Sequence, residues 1–67
     1  MDDNIRQQAM QDVAQAETPL RKFLHTKQGD VYDWALSVEY QVGIRYTGRR
    51  RDEYHCALME AAREVRE

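Results

Sequence analysis

Backbone punctuation sets the limits on this chain. One proline, Pro19, and three glycines, Gly29, Gly43 and Gly48, are its only strong breakers. They divide it into four segments, each of a size for a single helix or strand. Ordering 67 residues costs on the order of 100 kcal/mol, and burial in so short a chain leaves a thin surplus over that cost. Small domains usually add disulfides, a metal or a second subunit. With one cysteine, Cys56, no internal disulfide can form. Oligomerisation or partner binding is the expected supplement, and a lone thiol points to a reducing compartment. The acidic start Met1-Asp2-Asp3-Asn4 is unlike a secretory signal. No run approaches the ~20 apolar residues of a membrane span. A cytoplasmic protein with no membrane partner is expected.

The first segment, from about Asp3 to Glu17, repeats Ile5, Ala9, Val13 and Ala16 at helical spacing, with Asp2, Asp3 or Asn4 as candidate caps. Its apolar residues are small, so the weakest and most frayed helix is expected here. Thr18-Pro19 reads as a cap followed by proline at the first helical position, opening a short element with Leu20, Phe23 and Leu24 on its apolar face. It would be a separate helix or a kinked continuation of the first.

The third segment, Asp30 to about Tyr46, admits two readings. As a helix capped by Asp30 it gathers Val31, Trp34, Ala35, Val38 and Val42 on one face. As a strand, residues 37–46 alternate Val38, Tyr40, Val42, Ile44 and Tyr46 with polar neighbours and Gly43. A lone strand has no partner within the chain and would need a symmetry mate, so the helix is preferred. The fourth segment, from Arg50 or Asp52 to about Arg66, is the clearest helix: Tyr54, Ala57, Leu58, Ala61, Ala62 and Val65 keep a period of 3.6. Its polar side carries Arg63 and Glu67 as a favourable pair. The expected fold is all-α, a bundle of three to four helices in one domain spanning residues 1–67, with a strand at 37–46 across a homodimer as the alternative.

The net charge of −2 conceals blocks of alternating sign: −3 over residues 1–17, +3 over 18–28, −3 over 29–44, +4 over 45–51 and −3 over 52–67. The +4 block holds Arg45, Arg49, Arg50 and Arg51. Arginines at a helix N-terminus oppose its dipole at a cost of a few tenths of a kcal/mol each. They are therefore read as a binding feature, suited to carboxylate or phosphate, with Tyr46 beside them able to stack and Tyr40 adding aromatic surface. On this reading, replacing Arg49, Arg50 and Arg51 by glutamine removes partner binding and spares stability. The bland alternative is a solvated turn neutralised by Asp52 and Glu53. Arg21, Lys22 and Lys27 form a secondary basic patch around His25, where a lysine near a helix C-terminus is favourable without any partner. If both patches share a face, nucleic-acid binding gains weight.

Trp34 and Phe23 are expected core anchors, while Tyr32, Tyr40 and Tyr46 exceed what one small core can bury. Cys56 and Met59 fall off the apolar stripe of the last helix. His55 next to Cys56 projects about 100° away on a helix, which argues against a catalytic pair, and His25, His55 and Cys56 lack the spacing of a zinc site. The sequence holds no Gly-rich phosphate loop, acidic pair or nucleophile elbow. No cofactor or metal is expected.

These residues point to a non-enzymatic small binding protein. It would act as inhibitor, adaptor or regulator by covering an acidic surface on a larger protein or complex. Chains of this kind are common in bacteriophages and mobile elements, an association with no residue behind it. The alternative is a small homodimeric nucleic-acid-binding regulator using residues 45–51, although the acidic blocks around them limit nonspecific phosphate binding.

Overall fold

The computed structural model describes residues 3–26 and 29–65, the last without its side chain. Asp2, Lys27, Glu67 and the side chain of Val65 lie outside the described residues. Four helices follow one another: α1 (Asp3–Ala14), α2 (Leu20–His25), α3 (Val31–Val42) and α4 (Gly48–Val65). The described residues form a small all-α bundle without strands. No helix among them is long and apolar enough to cross a membrane.

α4 organises the bundle. α1 lies along it in the most extensive contact of the fold, α3 packs on it too, and α2 leans on α3. The small side chains of α1 explain this arrangement, because alanines let helix axes approach closely. Ile5 and Ala9 are buried to within 1%. The helix expected to be weakest is thus clamped along the strongest.

Trp34, Tyr54, Leu58 and Val38 complete the centre with Ile5, and Phe23 closes it from α2. Full burial of a side chain of the Leu, Ile or Phe class contributes about 1.5–3 kcal/mol. Met59, assigned to the polar side by the sequence pattern, instead packs half-buried against this core. Cys56 is exposed.

The helix ends follow local chemistry. Asp30 caps α3 through a capping box: its carboxylate accepts from Asp33 N–H at 3.0 Å, and the Asp33 carboxylate accepts from Asp30 N–H at 3.1 Å. Gly43 ends α3 at φ 92° and Gly48 opens α4 at φ 62°, backbone conformations that favour glycine. α2 is a separate helix, and its cap is Pro19 rather than Thr18, with ψ 153° holding proline just outside the first turn. Thr18 instead serves α3, its carbonyl accepting the Trp34 indole N–H at 2.8 Å. Gln41 accepts from Glu17 N–H at 3.1 Å and donates to the Gln15 carbonyl at 3.3 Å. The α1–α2 connection is thereby tied to α3 at two points.

The strand reading of residues 37–46 fails in two ways. Residues up to Val42 continue the helix begun at the Asp30 cap, and residues 43–47 run as a short connector with no strand to pair. The alternation in the sequence arises where the apolar face of α3 passes into a connector whose Tyr46 turns inward and whose Ile44 turns outward.

Candidate interaction surface

Two acids sit in the core. Asp12 on α1 and Glu39 on α3 are each only 2% exposed. A lone carboxylate there would cost several kcal/mol, so each must find donors. Asp12 receives Arg45 in a bidentate pair, Nε at 2.9 Å and Nη2 at 3.1 Å. It also accepts from the Tyr54 hydroxyl and from Gln8 Nε2 at 3.1 Å. Glu39 receives Arg51, with Nε at 3.0 Å and Nη2 at 2.9 Å, and His55 Nε2 at 3.0 Å.

The protonation balance follows from these partners. The Arg51 hydrogen bonds hold the Glu39 carboxyl below its usual 4.5 against the opposing pull of burial, with His55 adding to the lowering. Glu39 and Asp12 raise the guanidinium groups of Arg51 and Arg45 in turn. Burial first, and then the Asp12 carboxylate, push the Tyr54 hydroxyl well above its usual 10. Because an ionised carboxylate only accepts, His55 Nε2 carries the proton in its bond to Glu39. His55 Nδ1 is buried without a partner among the described residues. Tyr32 meets the His55 ring edge-on at 5.6 Å between centroids.

The arginine cluster therefore divides. Arg45 and Arg51, expected to face a partner, bind the chain's own acids, joining the connector to α1 and α4 to α3. Tyr46, expected to stack on a ligand, is half-buried at 5.3 Å from the Tyr54 ring and packs on the core. Arg49 and Arg50 are exposed and enter no ion pair among the described residues. Tyr40 is 91% exposed and Ile44 69% exposed. Of this stretch, Tyr40, Ile44, Arg49 and Arg50 stay exposed, at the end of α3, on the connector and in the first turn of α4. The expectation that replacing Arg49, Arg50 and Arg51 together spares stability does not survive, since Arg51 carries Glu39.

The secondary patch lies elsewhere. Arg21 and Lys22 are exposed on α2, beside a groove that reaches Ala62 near the other end of α4. Arg49 and Ala62 stand thirteen residues apart on that helix, about 20 Å at 1.5 Å per residue. The described parts of the two patches do not merge into one basic face. Among the described residues no three His, Cys, Asp or Glu side chains converge as metal ligands.

Asp12, Glu39 and His55 are the buried polar anchors that the sequence pattern does not single out. Their signal was positional: Asp12 follows Ile5 and Ala9 by seven and three residues, and Glu39 follows Ala35 by four, so both fall on buried stripes. No family model matches the chain, and neither the curated proteins nor the solved structures hold a match.

Proposed function

We propose that this chain is a non-enzymatic binding protein that covers an acidic surface on a larger protein through Tyr40, Ile44, Arg49 and Arg50. One observation carries the reading: a tyrosine 91% exposed and an isoleucine 69% exposed lie within ten residues of two exposed arginines that enter no ion pair among the described residues, on a frame whose buried acids are tied down. Tyrosine and arginine are the residues that anchor protein interfaces most strongly, and apolar side chains between them supply the dry centre. The frame is rigid where this matters. Glu39 fixes Arg51 one residue after Arg50, and Gly43 sets the direction of the connector. The mechanism is steric: the partner's carboxylates meet the two guanidinium groups, and its groove receives Tyr40 and Ile44.

An acidic protein is favoured over nucleic acid because half the arginines of the cluster are neutralised internally, which leaves a small basic footprint. The free thiol of Cys56 fits a cytoplasmic setting.

The test compares the wild type with a Tyr40→Ala, Arg49→Gln, Arg50→Gln variant in affinity capture from nuclease-treated host lysate, followed by mass spectrometry. All three side chains are exposed, so thermal unfolding stays close to wild type. The variant loses the captured protein by about tenfold or more, as hot-spot removal requires. Equal capture by the variant, or capture that disappears with nuclease, rejects the proposal.

A further inference from the structure

We propose that a second docking site lies at the opposite end of α4, shaped for an acidic amphipathic helix of a partner protein. A groove of about 1050 Å³ opens there between the end of α1 and α2. Its walls include Val13 and Leu20, both half-buried, and Leu24, which is 44% exposed, with Trp34 and Ala62 beneath. One rim is basic: Arg21, Lys22 and His25 belong to α2, whose sequence LRKFLH contains no acid. None of the three enters an ion pair among the described residues.

Charge and shape together select the occupant. An apolar trough beside cations that enter no ion pair among the described residues asks for a ligand with apolar side chains on one face and carboxylates along one edge. An amphipathic helix presents this at positions i, i+3 or i+4, and i+7. The groove is slightly larger than the ~300–1000 Å³ typical of small-molecule pockets, and its exposed Leu24 leaves it open along the side, which suits a helix better than an enclosed ligand. Arg21 and Lys22 would take the carboxylates, and Leu20 and Leu24 the apolar anchors. The site is separate from Arg49, which stands about 20 Å from Ala62 along α4. A chain with both sites joins two partners.

The probe is a displayed library of helix-forming peptides, randomised at the apolar stripe and at flanking charged positions and selected on the whole protein. Trp34 is the sole tryptophan and lines the groove, so its emission reports occupancy. Enriched peptides should pair an apolar i, i+3/i+4, i+7 stripe with acids on one edge, and should shift Trp34 emission. Their affinity should fall by about tenfold or more in Arg21→Glu, Lys22→Glu, because charge reversal opposes the complementary field. The milder Arg21→Gln, Lys22→Gln should weaken them less, and Tyr40→Ala, Arg49→Gln, Arg50→Gln should leave them unchanged. Circular dichroism checks that each variant is folded, and the neutral pair serves as the test if the reversed pair is not. The proposal is overturned if nothing is enriched, if enriched peptides show no acidic preference, or if their affinity ignores both α2 variants. Phosphatidylglycerol vesicles that shift Trp34 emission while the library yields no binder overturn it in favour of a membrane.

Discussion

Glu39 and Asp12 occupy positions where a packed helical chain ordinarily places alkyl groups. Their burial is tolerable only because arginines reach in from the rim with guanidinium groups that still touch water: the side chain of Arg51 is 43% exposed and that of Arg45 37%. Partial exposure makes such pairs weaker than fully buried ones, yet losing a partner still leaves a carboxylate stranded. Since Glu39 has its folded-state pKa below 4.5, its contribution is complete above that value and disappears as pH falls through the lower, folded-state one. Wild-type stability should therefore decline on acidification below about pH 4.5. Glu39→Gln should cost about 1–3 kcal/mol at neutral pH, as expected for hydrogen bonds to a charged group, and should flatten the acid limb. Urea unfolding at neutral pH and near pH 3 measures both effects. Equal stability of the two proteins at neutral pH would show that Arg51 and His55 contribute nothing through this acid.

Local signals bounded the four elements and fixed α4 as a helix, but they left α3 between helix and strand and could not say which faces would meet. The Asp30 cap, the 3.6 period of α4 and the breaker at Pro19 were legible because each depends on neighbours in the chain. Met59 and Tyr46 were misplaced because tertiary contact decides them: a core with many alanines leaves room for a thioether and a phenol at its edge. Asp12 was overlooked because composition scores it as surface, while its partners Arg45 and Tyr54 lie 33 and 42 residues away. Long-range pairing of this kind has no local signature. The connector shows the same division. Gly43 was legible as a break, but its φ of 92° with ψ of 161° belongs to a region that glycine alone visits freely. Among the described residues nothing lies within 4 Å of where a Cβ would project, so a substitution there meets backbone strain and no clash. Gly43→Ala should destabilise by about 1–3 kcal/mol. The same variant should loosen Tyr40 and Ile44 relative to α4. Thermal unfolding reads the first effect and hydrogen exchange of residues 43–48 the second; wild-type values in both would mean that the connector needs no positive φ.

At the scale of the whole molecule two measures diverge. The radius of gyration, 10.9 Å, matches the roughly 11 Å expected for a 67-residue domain. The accessible surface, 4876 Å², exceeds the roughly 4,450 Å² expected for a monomer of 8.0 kDa. The core itself closes within one chain: Trp34, Tyr54, Leu58 and Ile5 are all at most 1% exposed without a second copy. The melting temperature should stay constant over about a hundredfold range of protein concentration, whereas an obligate dimer's rises. A partner present at about a hundred times its dissociation constant adds about 2.7 kcal/mol to the folded state. In a domain of this size that corresponds to a rise on the order of 10–20 °C. Calorimetry across concentration, with and without the captured partner, separates these cases: a rise with the chain's own concentration assigns the exposed tyrosine and isoleucine to a homodimer seam, while a rise only with the partner assigns them to a foreign surface.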